Sequence, residues 1–175
     1  MDWNEYFNYN PSTGDLTWKP RARGAFPGDR SWKMWNTRYA GRVAGSRKMH
    51  RGRPHALYVG VRDKLYSAHR IIWTMVNGEI PTGLMIDHVN GNPFDNQLAN
   101  LRLATNAENL RNRGKNTNNA CGLKGVTQMR GGRWMARINI NGVKTHIGTF
   151  DTKDLAHAAY CTAAKIHHGQ FARTA

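Results

Sequence analysis

The sequence predicts an α+β protein made of three parts: a basic N-terminal region, a strand–loop–strand–helix unit, and a C-terminal three-stranded antiparallel sheet packed on one helix. Strand-like alternation, helical faces with capping residues, and the distribution of charge support this division. The 175 residues carry a net charge of +15, with 14 basic and 5 acidic residues in 1–70, four of each in 71–117, and 8 and 2 in 118–175. So large an excess favours a polyanionic partner, because Lys and Arg side chains that neutralise phosphates release counterions.

Composition excludes several other classes of protein. The chain is 39% hydrophobic and 10% aromatic, which is enough to build cores. It contains no apolar run of ~18–20 residues and no signal-peptide pattern at its start, so we expect no membrane partner. Cys121 and Cys161 are far apart and no CxxC pair occurs. This pattern predicts no structural zinc and no disulfide scaffold, and it suits a reducing cytoplasm.

The N-terminal region combines one turn signal with a long irregular basic stretch. The Asn-Pro-Ser-Thr-Gly-Asp run at 10–15 predicts a small hairpin. Residues 19–53 are rich in Arg, Gly and Trp and show no clear period, whereas the alternation over 55–62 predicts a strand. The aromatic side chains of this region either stack on bases or form a small core, and we favour the core. They are Trp3, Trp18, Trp32 and Trp35.

The middle of the chain predicts a helix, a strand, a long polar loop, a second strand and a second helix. The ranges are helix 68–77, strand 84–86, loop 89–96, strand 98–104 and a helix that begins near Asn106. Ser67 precedes the first helix as a candidate N-cap, and Thr105 with Glu108 has the pattern of a capping box.

Three polar side chains in this unit suggest chemistry. Asp87 and His88 end the first strand, and Asn109 lies in the first turns of the second helix. Carboxylate and amide oxygens are hard ligands that suit Mg²⁺ or Mn²⁺. A neighbouring histidine can take a proton from water near neutral pH.

The spacing of Asp87-His88, Asn100 and Asn109, with His69-Arg70 on the preceding helix, resembles the HNH motif of phage-type homing endonucleases. The resemblance covers roughly 55–115, and the 10–19 stretch also resembles the start of such proteins. It implies that His88 is the general base, that Asn100 braces the loop, and that Asp87 and Asn109 bind one divalent cation, Mg²⁺ or Mn²⁺. The departure is Asn109, which stands where the family name has a second histidine.

The C-terminal segment predicts a sheet with one helix. A polar linker at 114–121 precedes three strand candidates at 124–129, 133–140 and 143–150, and a helix follows with Asp151 as its cap. Alternation directs Trp134, Ala136, Ile138 and Val143 toward the helix and leaves Arg137, Asn139, Lys144 and His146 outside. That outer face either lies in a DNA major groove or is an ordinary solvated face.

This segment, over about 119–172, is similar to the plant ethylene-response-factor-type (APETALA-type) DNA-binding domain. The similarity rests on Gly122–Val126, Arg133–Ile138 and Ile147–Phe150. It implies that the sheet reads the major groove through Lys124, Thr127, Met129, Arg137, Asn139, Lys144 and His146. We add Arg130 and Arg133 as phosphate contacts.

Together these patterns predict a basic region (1–54), an HNH nuclease domain with a ββα-metal unit (55–113), a linker (114–121) and a DNA-binding domain (122–175). The predicted function is site-specific, single-metal hydrolysis of double-stranded DNA in the cytoplasm of an infected bacterial host, with a monomer nicking one strand. The alternatives are a non-enzymatic DNA-binding regulator on a spent nuclease fold and an RNA-binding or packaging accessory protein.

Overall fold

A computed structural model describes residues 1–50, 52–115 and 119–174, and it divides the chain into two compact units, 1–103 and 104–175. The first unit contains strands β1 (Phe7–Asn10), β2 (Asp15–Trp18), β3 (Ser46–His50), β4 (Arg53–Val61), β5 (Lys64–Ser67), β6 (Met85–His88) and β7 (Leu101–Ala104), and helices α1 (Asp29–Tyr39) and α2 (Ala68–Asn77). The second contains α3 (Asn106–Arg111), β8 (Val126–Gln128), β9 (Trp134–Ile140), β10 (Val143–Phe150) and α4 (Lys153–His168). Residues 116–118 of the predicted linker lie outside the described residues. The mixed α+β class with small antiparallel sheets is confirmed.

The first unit packs three small sheets around one apolar core. The sheets are the β1–β2 hairpin, the three-stranded β3–β4–β5 sheet and the β6–β7 pair. Helix α2 buries Ile71 and Ile72 against Phe7 and Leu16 of the hairpin and Ile86 of β6. Burial of these apolar side chains supplies the main stabilisation of the unit.

The tryptophans of the N-terminal region pack within the protein, in agreement with the small aromatic core that the sequence analysis favours. Trp3 and Trp18 lie against the core, and Trp35 contacts Trp18 with ring centroids 5.3 Å apart. The indole N–H of Trp32 donates to the carbonyl of Arg21 at 2.8 Å.

Two elements of this region, α1 and β3, lie in the stretch that was expected to be irregular, and neither was predicted. Helix α1 has no buried residue and begins after Gly28, which offers no side-chain cap. Strand β3 is exposed at all five positions. Strand β3 therefore carries no alternation of buried apolar side chains, whereas α1 carries only a short stripe of half-buried aromatic side chains, Trp32, Trp35 and Tyr39, at helical spacing.

In the second unit the predicted three-stranded sheet and helix are present, with strand order β10–β9–β8. Ala136 and Ile138 of β9 are buried under α4, whereas Arg137 and Asn139 are exposed. The predicted inward position of Val143 is wrong, since this side chain is exposed. Val143 is the first residue of β10 and follows the exposed Asn141-Gly142 turn, and a separate register shift lies farther along the strand, between His146 and Gly148.

The start of α4 also differs from the prediction. The side chain of Thr152, and not that of Asp151, accepts the hydrogen bond from the backbone N–H of Leu155. Among the described residues, no helix has the length and apolar character needed to cross a bilayer.

Candidate active site

Strand β6 ends in a buried Asp87-His88 pair, and the His88 ring has a specific partner. Its Nε2 atom lies 3.0 Å from Oδ1 of Asn96, a side chain that is only 1% exposed. An amide oxygen can only accept, so with this oxygen toward the ring Nε2 carries the proton and Nδ1 the lone pair. Sequence reasoning did not identify Asn96, whose only signal was its position in the polar loop.

A second histidine lies against the first. His69, at the start of α2, packs edge to face with His88 at 5.1 Å between ring centroids. Burial, with smaller contributions from His88 and Arg70, lowers the pKa of His69 to about 4. The His69 ring is therefore neutral at physiological pH and packs next to the candidate base without adding a charge.

Asp87 is held by an arginine that the sequence did not single out. Arg102, on β7, donates from Nε to Oδ2 of Asp87 at 2.9 Å, and its Nη2 forms an ion pair with the same oxygen at 2.8 Å. A buried carboxylate needs such a partner, since desolvation of an isolated charge is costly. A carboxylate offers about four lone-pair sites, so its pairing with Arg102 does not by itself exclude a cation.

Asn100 ties the polar loop together between β6 and β7. Its Oδ1 accepts from the backbone N–H of Asn90 at 2.9 Å, and its Nδ2 donates to Asn90 Oδ1 and to the carbonyl of Asp95. The backbone N–H of Val89 donates to the carbonyl of Asn100 at 2.9 Å. These contacts are the ones expected of a residue that braces the loop.

Asn109 lies in the second unit, in α3. The predicted capping box is present there, with the hydroxyl of Thr105 accepting from the Glu108 N–H and the Glu108 carboxylate accepting from the Thr105 N–H. Within the described part of the chain no group of three or more His, Cys, Asp or Glu side chains could hold an ion. The predicted donor set is thus one carboxylate and one amide, which as hard oxygen ligands fit Mg²⁺ or Mn²⁺.

The second unit presents a basic surface on the side of the sheet opposite α4. Its exposed residues are Arg137, Asn139, Lys144 and His146, with Arg130 in the β8–β9 turn. An open cleft of about 820 Å³ runs beside this face and is also lined by Arg113 and Lys115. Arg133 is exposed too, but it pairs with Asp151 at 3.2 Å and donates to the carbonyl of Thr149.

Lys124 differs from the other predicted DNA contacts. Its ammonium group donates to the carbonyls of Arg111, Arg113 and Arg173 at 2.7 to 2.9 Å. Burial, with a smaller contribution from Arg173, lowers the pKa of Lys124 to about 8. Because an ammonium has three donors and all three are used here, the side chain that the resemblance assigns to DNA connects segments within the second unit.

Comparison with known proteins places these observations in a family. The family model of the HNH endonuclease matches residues 66–111. Protein 3.8 of Escherichia phage T7 is 36% identical over 106 residues, which are 60% of this chain and 87% of that protein. An uncharacterised HNH endonuclease of Acanthamoeba polyphaga mimivirus is 32% identical over 105 residues, 59% of this chain and 54% of the relative.

A plant protein matches over a shorter stretch. An ethylene-responsive transcription factor of Medicago truncatula is 33% identical over 83 residues, 46% of this chain and 31% of the factor. Such a partial match is weak support for a C-terminal domain of the ethylene-response type. No solved structure matches the chain significantly.

The matched segment identifies an HNH endonuclease domain, the mixed α+β fold is consistent with it, and the viral relatives support a nuclease-type function. The chain belongs to the same family as Protein 3.8 of Escherichia phage T7.

Proposed function

We propose that this protein is a site-specific DNA endonuclease of the homing type that hydrolyses a phosphodiester with His88 as general base. The observation that carries the proposal is the buried His88 ring, which follows Asp87 at the end of β6 and has its Nε2 3.0 Å from Asn96 Oδ1. With the amide oxygen of Asn96 toward Nε2, the ring proton would lie on Nε2 and Nδ1 would be the nitrogen that takes a proton from water.

In the proposed reaction Nδ1 of His88 takes a proton from a water molecule, and the resulting hydroxide attacks phosphorus in line with the departing oxygen. Asp87 and Asn109 would hold one Mg²⁺ or Mn²⁺, with Arg102 fixing the carboxylate of Asp87. The bound cation supplies Lewis-acid stabilisation of the charge that develops on the phosphate and leaving oxygens. Asn100 keeps the loop between the two strands closed around the histidine.

The substrate in this proposal is double-stranded DNA. Support comes from the exposed Arg137, Asn139, Lys144 and His146 on one sheet face and from the net charge of +15. Base-edge contacts from the sheet would supply sequence preference, whereas the basic N-terminal region would contribute salt-sensitive contacts to phosphates. Arg130 and Arg133 would add phosphate contacts at the edge of this sheet.

Cleavage of plasmid DNA carrying the sequence that flanks the gene tests the proposal. With Mg²⁺ or Mn²⁺ present we expect wild-type cleavage, and His88→Ala should lower the rate by ~10²–10⁴ while DNA affinity stays within a few-fold. His167→Ala, which removes an exposed histidine on α4, is the matched control and should cleave normally. Cleavage by His88→Ala at the control rate would contradict the assignment.

A DNA-binding regulator is the second candidate, because relatives of this chain include proteins named as a transcription factor and an element-binding protein. Against it stands the buried Asp87-His88 pair with its own partners, Arg102 and Asn96, which a spent site does not need. Specific DNA binding without cleavage under any divalent cation would favour the regulator.

A further inference from the structure

The N-terminal hairpin lies directly against the loop that carries Asn96. Gly14, in the turn between β1 and β2, has φ +78°, and a Cβ added there would lie 2.5 Å from the backbone nitrogen of Gln97 and 2.7 Å from the carbonyl carbon of Asn96. The backbone of the turn therefore meets the backbone of the loop with no room for a side chain.

Tyr9 fixes the same loop through its hydroxyl group. Tyr9 Oη donates to the carbonyl of Asn96 at 3.1 Å and accepts from the backbone N–H of Leu98 at 2.9 Å. Desolvation is the largest cause of the raised pKa of Tyr9, which keeps the hydroxyl a donor at neutral pH. The hairpin thus holds the backbone on both sides of Gln97.

The side chain of Asn96 connects the loop backbone, which the hairpin holds in place, to the ring of His88. The residue is fully buried, its Oδ1 contacts His88 Nε2, and its Nδ2 has no hydrogen-bond partner among the described residues. Burying an amide donor without a partner is unfavourable. The contact between Asn96 Oδ1 and His88 Nε2 therefore explains why an asparagine occupies this buried position.

We propose that the hairpin formed by β1 and β2 is a positioning device for the general base: Tyr9 and Gly14 fix the backbone around Asn96, and Asn96 fixes His88 in the tautomer with its proton on Nε2. The inference rests on the proposed nuclease function for its catalytic consequence but not for the tautomer itself. It also gives a role to the 10–15 turn, which Asn10 builds by accepting from Ser12 N–H through its side chain and from Gly14 N–H through its carbonyl.

The first test measures the tautomer without any cleavage assay. In ¹⁵N-labelled full-length protein, long-range ¹H–¹⁵N spectra of His88, assigned by its loss in His88→Gln, should show a protonated Nε2 and an unprotonated Nδ1 in the neutral ring. Asn96→Leu should give a mixture of tautomers, and Asn96→Asp, which keeps an acceptor, should preserve the Nε2-protonated form. A wild-type ring protonated at Nδ1 would overturn the proposal.

The second test separates turnover from binding. Removing an outer partner of a functional histidine typically costs about 10–100-fold, so Asn96→Leu should lower kcat by that factor with DNA affinity nearly unchanged. Asn96→Asp should recover part of the loss, and Tyr9→Phe should show a smaller loss in kcat alone. Tyr66→Phe removes a hydroxyl from another core-packed ring of the same unit and should cleave normally.

The outcomes of the two tests distinguish a failure of the positioning role from a failure of the proposed nuclease function. If Tyr9→Phe and Asn96→Leu both turn over at the wild-type rate, the positioning role is refuted even though the protein is a nuclease. If the wild-type protein cleaves no DNA, the proposed function fails, and the NMR measurement still decides whether Asn96 sets the tautomer of His88. Should Asn96→Leu not fold, Tyr9→Phe and the wild-type spectrum decide.

Discussion

The two histidines at the candidate site, His88 and His69, lie in different environments. His88 has a polar partner at Nε2, whereas His69 lies in a desolvated position against it, with a pKa of about 4. A neutral His69 does not repel the imidazolium that forms when His88 takes a proton. The arrangement lets a buried base act without a second charge beside it.

The low pKa of His69 predicts a loss of stability on acidification. An unfolded histidine titrates near 6.5, so as pH falls from about 6.5 to about 4 the unfolded chain gains a proton that the folded chain does not. The free energy of unfolding should therefore fall across this window, by at most about 3 kcal/mol from this residue. Above the window the stabilisation is fully present.

Denaturant unfolding at several pH values between 7 and 4.5 measures this effect. His69→Phe should flatten the pH dependence relative to wild type, because it removes the titrating group from a buried position. His167→Gln, at an exposed position, should leave the slope unchanged. Equal slopes for wild type and His69→Phe would show that His69 does not titrate abnormally.

At the scale of residues, the sequence motif predicts the groups that would bear the chemistry but does not reveal the residues that contact them. Asp87, His88 and Asn100 follow from a local motif with fixed spacing. Asn96 and Arg102 sit within the same segment, but their roles depend on which side chain each one meets across the β6–β7 unit. Tyr9 is separated from Leu98 by 89 positions, and only the tertiary fold brings it to the loop.

At the scale of elements, the second unit contains two lysines with different roles, Lys124 before β8 and Lys144 on β10. Lys124 connects the end of α3, the residues that directly follow it and the C-terminal segment through the carbonyl oxygens of Arg111, Arg113 and Arg173. Lys144 is exposed on β10 and lines the basic cleft. The two side chains provide a matched pair for separating stability from DNA binding.

Lys124→Met should lower the free energy of unfolding by about 2 kcal/mol, because three carbonyls lose a charged donor, two of them in part-buried contacts. Lys144→Met should change stability by no more than about 0.5 kcal/mol, yet weaken DNA binding and reduce its salt dependence by roughly one counterion. Thermal or denaturant unfolding and DNA titrations at several salt concentrations measure both. The reverse pattern would assign Lys124 to the DNA interface after all.

The elements that bury a continuous apolar face could be predicted from the sequence. The elements that lack such a buried face could not be predicted. Helix α2 and strand β9 carry clear apolar periods, and both occur where expected. Helix α1 buries no residue completely, and its stripe of half-buried side chains, Trp32, Trp35 and Tyr39, is short, whereas strand β3 is exposed throughout and shows no buried alternation. The register shift in β10 is a further case, since alternation alone cannot reveal an extra residue.

At the scale of the whole molecule, two strongly basic segments flank a middle segment with balanced charge. The Asp87 carboxylate, its Arg102 partner and the loop asparagines all lie in that middle segment. A nuclease needs positive charge to bind the DNA backbone, but it also needs carboxylate oxygens where a cation must be held. The charge distribution of the chain suits both requirements.

The number of sites in the chain determines the expected order of products. The set Asp87, His88, Asn100 and Asn109 occurs once, and no repeat of the 84–113 pattern exists in the sequence. A monomer that acts with one site should hydrolyse one strand per binding event. Supercoiled plasmid should therefore convert first to open circle, with linear product appearing late.

A time course on agarose gels at several protein concentrations measures this order. At protein concentrations below saturation the rate of open-circle formation should rise in proportion to concentration, because one molecule suffices for one nick. A second cut requires a second copy or a second binding event, which delays the linear form. Linear product that appears promptly, at a rate that rises with the square of concentration, would instead show that two copies cut the two strands together.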